Sequence, residues 1–146
     1  NRRGLDVIVE RWVADSDKMG VLLLDIDHFK KVNDDYGHDI WDQALRKISN
    51  IIRATSRDDD VVARWGGEEL LVITRSSDKP ALKEFSERLR KAVSDINIAG
   101  LPPLPVSIGI TQHFSHEAFE QSTFVRADEA LYTAKNEGRN LVRYSW

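Results

Sequence analysis

The chain has 146 residues, a formal net charge of −3 at pH 7 and no cysteine. This length suits one domain with a single hydrophobic core, and the mildly negative charge argues against a nucleic acid polymer as a partner. The lack of cysteine excludes disulfide bonds and thiolate metal sites and agrees with a cytoplasmic location. Because no apolar run reaches the ~18–20 residues of a membrane span, we expect no membrane contact by this segment.

Apolar spacing predicts the first elements of the chain. Residues 3–14 carry apolar side chains at i, i+3, i+4 and i+7, which is typical of an amphipathic helix. Residues 21–24 form a short apolar run between a glycine and an aspartate, which indicates a strand buried on both faces. Polar residues follow through Gly37, and a long helix is predicted over residues 39–54.

The glycine pair Gly66–Gly67 separates two predicted strands, residues 61–65 and 68–74. A two-residue glycine connection favours a β-hairpin, because primed turns require positive φ angles. The remaining predicted elements are a helix with Pro80 in its first turn, a strand over 106–114, a helix over 122–136 and a short strand over 141–144. This order predicts an α/β (α+β), ferredoxin-like fold, in which helices surround a mixed central sheet and lie mainly on one face.

Carboxylates mark one end of this predicted sheet. Asp25 and Asp27 follow the first buried strand, and Glu68 follows the glycine turn, so either aspartate can lie beside Glu68 if the two strands are neighbours. Converging carboxylates stay ionised most readily around a hard cation such as Mg²⁺. Two such ions clamping a phosphate are the arrangement of polymerase-type phosphoryl transfer. The alternative is that these side chains are simply solvated.

Two cations, Lys135 and Arg139, stand four residues apart at the end of the last long helix. This spacing lets both side chains reach phosphates on one side of the helix. Cations at a helix C-terminus also complement the helix dipole, so the pair does not by itself require a ligand.

Four motifs together resemble the GGDEF family of diguanylate cyclases, which make cyclic di-GMP from two GTP. They are DIDHFKKVNDDYGH at 25–38, RWGGEEL at 64–70, VSIGIT at 106–111 and RADEALYTAKNEGRN at 126–140. The resemblance spans essentially the whole chain and implies a nucleotidyl-cyclase-like fold. It also implies that residues 1–146 form a single domain, cut from a longer multidomain sensor protein. The signature is a GGEEL variant, whose Leu70 replaces the usual phenylalanine and is expected to point into the core.

The resemblance implies a metal and catalytic site. Asp25, the backbone carbonyl of Ile26 and Glu68 are expected to bind two Mg²⁺ (or Mn²⁺) ions per active site. Glu68 is also implied as the base that takes the proton from an attacking 3′-hydroxyl, a role that Glu69 can share.

The family also implies how GTP binds. Backbone N–H groups are expected to cradle the β- and γ-phosphates at His28, Phe29 and Lys30. Asn33 and Asp42 are expected to bind guanine, because an amide and a carboxylate match its acceptors and donors. The triphosphate is expected to contact Lys135 and Arg139.

Two family properties concern regulation. Each GTP must offer its 3′-hydroxyl to a second GTP, so a homodimer is expected to be needed for catalysis. The segment RDDD at 57–60 has the Arg-x-x-Asp pattern of an inhibitory site for the product cyclic di-GMP, which implicates Arg57 and Asp60. Arg88 matches an arginine that completes this site from a neighbouring subunit.

Trp41 departs from the family, which usually has glycine just before the guanine-binding aspartate. The indole could obstruct guanine, stack on it or lie in the core, and its helical spacing to Leu45 and Ile48 favours the core. Two other functions fit parts of this sequence. A catalytically silent domain that binds GTP or cyclic di-GMP is one, and a ferredoxin-like RNA-binding module is the other. The retained hairpin carboxylates favour the cyclase over both.

Overall fold

The computed structural model describes Arg11 and residues 18–146. Apart from Arg11, the helix predicted over residues 3–14 lies outside the described residues. The elements are β1 (Lys18–Ile26), α1 (Phe29–Tyr36), α2 (His38–Thr55), β2 (Val61–Arg64), β3 (Glu69–Thr74), α3 (Lys79–Ser94), β4 (Val106–Phe114), α4 (Phe124–Asn136) and β5 (Val142–Tyr144). None of the described helices is both long and apolar enough to span a bilayer.

The five strands form one mixed sheet in the order β2-β3-β1-β4-β5. Neighbouring strands run antiparallel, except that β4 and β5 are parallel. The first four strands have the ferredoxin-like order, and β5 extends the sheet at one edge. The predicted fold is therefore confirmed, and β1 is the central strand.

Alternation along β1 divides the core between the two sheet faces. Leu22 and Leu24 face the side covered by α1, α2 and α3, whereas Val21 and Leu23 face α4 and the π-helical turn that precedes it. Burying each such side chain contributes about 1.5–3 kcal/mol. Three of the four described α-helices thus lie on one face, and β1 is buried on both faces, as its continuous apolar run predicts.

Helix α1 was not predicted, because its sequence FKKVNDDY is mostly polar. Val32 is its only fully buried side chain, so apolar periodicity gives almost no signal. The helix ends at Gly37, whose φ of 86° is readily adopted by glycine.

The hairpin differs in detail from its prediction. Trp65 N–H donates to the Glu69 carbonyl at 2.9 Å, so Gly66, Gly67 and Glu68 form a three-residue loop. Neither Gly66 nor Gly67 is among the glycines with positive φ. The prediction of a two-residue primed turn is therefore wrong. Packing on both sides of β3 sets the register: Leu70 is 2% exposed on the α1–α3 face, as expected, and Leu71 is buried on the α4 face.

Candidate active site

The end of β1 and the hairpin loop lie side by side. Ile26 N–H donates to the Glu68 carbonyl at 3.1 Å, and Asp25 stands opposite Glu69 in the β1–β3 register. One cavity at this end of the sheet is lined by Asp25, Ile26, Asp27, His28, Phe29, Lys30, Glu68, Lys135 and Arg139. The structure thus brings together in one cavity all of the residues that the sequence assigned to metal and phosphate.

Asp25 is a buried carboxylate with one cationic partner. Its residue is 4% exposed, and Lys135 Nζ donates a hydrogen bond to its Oδ2. Burial raises the pKa of Asp25 above its ordinary value, the Lys135 ammonium opposes that shift, and the charge of Glu68 adds to it. The balance leaves the carboxylate short of positive charge, which a cation in the cavity would supply.

Glu69 faces α4, on the same side of the sheet as Asp25. Burial is the main cause that raises the pKa of Glu69, and the charges of Asp25, Glu68 and Asp128 raise it further. Like charges directly opposite each other on neighbouring strands are destabilising. The repulsion between these carboxylates therefore lowers the stability of the fold, which indicates that they have a role other than stability.

The donor set fits a magnesium ion shared with a ligand. Among the described residues no three histidine, cysteine or acidic side chains are grouped to hold a metal by themselves. Asp25, Glu68 and the Ile26 carbonyl offer hard oxygens, and Mg²⁺ commonly takes one or two carboxylates and completes its shell with water and phosphate oxygens. The residues therefore suit Mg²⁺ bound together with a phosphate.

The hairpin glycines leave open space next to this donor set. A Cβ at Gly67 would meet no atom within 4 Å, and one at Gly66 would make only ordinary contacts with Glu69, the nearer at 3.7 Å. Neither glycine has the positive φ that would make a side chain unfavourable. The fold itself does not require glycine at these two positions, and the space beside them is open to a ligand.

The start of α1 offers backbone donors to the same cavity. His28 adopts the left-handed conformation with φ of 63°, and no side chain caps the helix N-terminus. The first N–H groups of a helix lack partners within the helix and carry its positive dipole end. The positions expected to bind phosphate, His28, Phe29 and Lys30, therefore lie where an anion is stabilised.

The two residues assigned to guanine lie outside that cavity. Asp42 is exposed and lines a separate cavity with Arg46, Ser49 and Arg64. Asn33 lies one turn further along α1 than Phe29, and its Oδ1 is buried without a hydrogen-bond partner. The structure does not join these two residues in one cavity, although an unsatisfied buried acceptor is unusual in a stable fold and indicates a donor from a ligand.

Trp41 lies in the core. Its residue is 3% exposed, and its ring meets Phe29 edge-on with centroids 4.7 Å apart. The indole therefore neither stacks on a base nor fills the entrance of a base site. Instead it supports Phe29 at the start of α1.

A second cavity gathers the residues assigned to product inhibition. Arg57, Asp60 and Arg88 line it together with residues of β3 and α3. Asp60 is 5% exposed, and its Oδ2 accepts the Arg57 N–H at 2.9 Å. Because Leu82 and Phe85 anchor α3 in the core, Arg88 reaches the cavity of its own chain. The role that the resemblance implies for Arg88, completing such a site from a neighbouring subunit, stays a prediction.

Some residues at these sites were not found from the sequence. Arg53 donates to the backbone carbonyls of Arg57 and Asp60 and so fixes the turn between them. Asp27, which the sequence offered as an alternative to Asp25, is 2% exposed and accepts hydrogen bonds from Ser107 and the backbone of Asn140. Ser107 and Asn140 lie 80 and 113 residues from Asp27, so no local pattern indicates these two partners.

The fold and the cavity define a class of protein. The sheet is nucleotidyl-cyclase-like, and its open end combines carboxylates, a helix N-terminus and two cations in one cavity. A family model described as "Diguanylate cyclase, GGDEF domain" matches residues 1–141. The chain therefore belongs to the GGDEF domain family.

Individual relatives agree with this assignment. The chain is 37% identical over 146 residues to "Diguanylate cyclase DgcM" of Escherichia coli strain K12, and 40% identical over 149 residues to "Diguanylate cyclase DgcP" of Pseudomonas aeruginosa. Each match covers 97% of this chain, but only 35% and 22% of those proteins. The GGDEF domain of DgcB from Caulobacter crescentus, solved in complex with c-di-GMP, aligns with a TM-score of 0.87 and 31% identity, covering 99% of this chain and 90% of that one.

Proposed function

We propose that this domain is a diguanylate cyclase that condenses two GTP into cyclic di-GMP and two pyrophosphates. The observation that carries the proposal is the cavity in which Asp25, Glu68 and Lys135 meet beside the start of α1. Relatives named diguanylate cyclases support the same reaction. GTP as substrate agrees with the cytoplasmic location expected from the sequence.

Asp25, Glu68 and the Ile26 carbonyl would hold Mg²⁺ or Mn²⁺, with two ions per active site. Bound there, the ions would supply positive charge to the α-phosphate and to the departing pyrophosphate. The chain's own cations, Lys135 and Arg139, bind the triphosphate and orient it.

The hairpin carboxylates move the proton of the reaction. Glu68 or Glu69 accepts the proton of the 3′-hydroxyl of one GTP, while the 3′-oxygen forms a bond to the α-phosphorus of the second GTP. The bond from that phosphorus to the pyrophosphate oxygen breaks, and pyrophosphate leaves. Burial and neighbouring negative charges raise the pKa of Glu69, which improves a carboxylate as a proton acceptor near neutral pH.

A homodimer supplies the second half of each reaction. The cavity is open at the end of the sheet and holds the residues for one triphosphate, so two domains would face each other with one GTP each. In that arrangement each 3′-hydroxyl meets the α-phosphate across the interface. We therefore expect activity to rise steeply when two copies are held together.

Cyclic di-GMP is also proposed as an inhibitor, bound in the cavity of Arg57, Asp60 and Arg88. Two guanidinium groups beside a buried carboxylate match the phosphates and the guanine edge of that molecule. The GGDEF domain of DgcB was solved with c-di-GMP bound, which supports product binding in a related domain. An Arg57→Ala variant is expected to lose product inhibition while it keeps its initial rate, and unchanged inhibition would refute this site.

The activity is tested with the domain fused to a dimerising coiled coil. The fusion is incubated with GTP and Mg²⁺, and the nucleotides are separated by chromatography. Wild type is expected to yield cyclic di-GMP and pyrophosphate, and Glu68→Ala to yield neither. Glu129→Ala, at an exposed position of α4, is the matched control. If the wild-type dimer binds GTP or cyclic di-GMP and leaves GTP intact, the domain is instead a silent signalling module.

A further inference from the structure

The segment after α4 carries Arg139 in an unusual backbone conformation. Arg139 and Asn140 have φ angles of 63° and 49°, so two successive residues other than glycine are left-handed. Such residues are uncommon, and asparagine tolerates the conformation better than most others. A turn of this kind persists only where its surroundings hold it, and it aims the Arg139 side chain at the phosphate cavity.

Asp27 holds this turn to the sheet. Its Oδ2 accepts the Asn140 N–H at 2.9 Å, and its Oδ1 accepts the hydroxyl of Ser107 on β4 at 2.8 Å. The residue is 2% exposed. Both carboxylate oxygens are therefore engaged by neutral donors, in contrast to Asp25, whose partner is the ammonium of Lys135.

The side chain of Asn140 holds the same turn from the other side. Its Oδ1 accepts a hydrogen bond from Arg90 Nη1 on α3 at 2.9 Å, and Arg90 is itself fixed by Glu87 at 2.9 Å. The segment that bears Arg139 is thus anchored to β1 and β4 through Asp27, and to α3 through Asn140.

We propose that Asp27 and Asn140 are positioning residues, which act on the triphosphate through Arg139 and not as metal ligands. This inference rests on the proposed GTP-binding function of the cavity. Asp27, two residues after the proposed metal ligand Asp25, would serve as a hydrogen-bond acceptor for the backbone of the turn. A carboxylate that binds a metal ion contributes its negative charge, whereas a carboxylate that only accepts hydrogen bonds from neutral donors can be replaced by an amide.

Asparagine at position 27 separates the two roles. Its carbonyl oxygen can accept the Asn140 N–H, and its amide can donate to Ser107, because a hydroxyl also accepts hydrogen bonds. We therefore expect Asp27→Asn to keep its KM for GTP within about threefold of wild type. Its Mg²⁺ requirement, measured as the concentration that gives half-maximal activity, should also stay within about threefold of wild type. Asp25→Asn is expected to raise the Mg²⁺ requirement more than about tenfold.

Removal of the acceptor tests the path through Arg139. Asp27→Ala is expected to raise the KM for GTP several-fold with a smaller change in kcat, and Arg139→Ala to raise it about tenfold or more, as for a hydrogen bond to a charged group. If Asp27 acts through Arg139, Asp27→Ala adds less than about twofold in the Arg139→Ala background. Additive effects on KM would overturn the proposal, and so would an Asp27→Asn variant that loses its Mg²⁺ response as Asp25→Asn does.

The measurements use the dimerised domain, with far-ultraviolet circular dichroism to check folding. If Asp27→Ala does not fold, Ser107→Ala and Asn140→Ala each remove one anchor and take its place in the same double-mutant cycle. The rise in Tm caused by GTP with Mg²⁺ is recorded for every variant as a readout of binding. If wild type binds GTP without converting it, only the cyclase activity is refuted. The GTP-dependent rises in Tm of the variants then decide whether Asp27 and Asn140 have the positioning role. Wild type that neither binds nor converts GTP overturns both.

Discussion

Glu69 is expected to destabilise the metal-free domain, so Glu69→Gln should make it more stable at neutral pH. Glu69 stands opposite Asp25 in the β1–β3 register, and burial together with the charges of Asp25, Glu68 and Asp128 raises its pKa. Glutamine keeps the size of the side chain and removes its charge. Like charges about 5 Å apart repel by ~3 kcal/mol at an effective dielectric constant of 20, and partial solvent exposure reduces this to roughly 1–2 kcal/mol.

The sign of the pH dependence follows from the raised pKa. A carboxyl whose pKa is higher in the folded state binds its proton more tightly there, so its contribution to stability is largest at low pH. That contribution is lost as pH rises from the unfolded-state value near ~4.3 through the raised folded value. Asp25, whose pKa is also raised, contributes in the same sense. The gain from Glu69→Gln should therefore be absent near pH 4 and complete at pH 7.

Urea unfolding of the metal-free protein at several pH values measures this effect. At pH 7 Glu69→Gln is expected to increase the free energy of unfolding by about 1–2 kcal/mol, which corresponds to a rise in Tm of roughly 3–6 °C. Glu129→Gln, at an exposed position of α4, should change stability by less than about 0.5 kcal/mol at every pH. A Glu69→Gln variant that is less stable than wild type at pH 7, or whose gain does not depend on pH, would refute the reasoning.

Four further substitutions have definite expected outcomes. Trp41→Ala, in the core, should cost about 3–5 kcal/mol in urea unfolding, whereas a Trp41 that reached into a base site would cost little. Gly109→Ala should prevent normal folding, because the new Cβ would lie 2.3 Å from a backbone oxygen of α4. Gly67→Ala should leave Tm unchanged within error, because a Cβ there meets no atom within 4 Å. Calorimetry on both variants and on wild type measures this difference in Tm. Lys135→Met leaves the buried Asp25 unpaired and should cost about 3–5 kcal/mol at pH 7, less in acid; equal losses at both pH values would contradict this.

The sequence predicted the strands whose residues are nearly all buried. The apolar run at residues 21–24 faces two cores, and β4 begins and ends where it was predicted, because every side chain in it before Phe114 is buried. Helix α1 was not predicted because Val32 is its one buried side chain, so its sequence shows almost no apolar periodicity. The hairpin loop was misjudged by one residue, since the register follows the packing of Leu70 and Leu71 and not the glycine pair.

The sequence named the residues that line the candidate cavity, but it did not predict the contacts among them. Asp25 and Asp27 have the same side chain two positions apart, and the strand pattern alone leaves both open as metal ligands, although the family resemblance implies Asp25. Their neighbours distinguish them: Lys135 reaches Asp25, whereas Ser107 and a backbone N–H 113 residues away occupy Asp27. A carboxylate whose partner is a lysine side chain can exchange that partner for a metal ion. Under the positioning role proposed above, Asp27 would have to release the turn that carries Arg139 to do the same. The contacts that would distinguish the roles of the two aspartates are long-range, and local sequence patterns do not encode them.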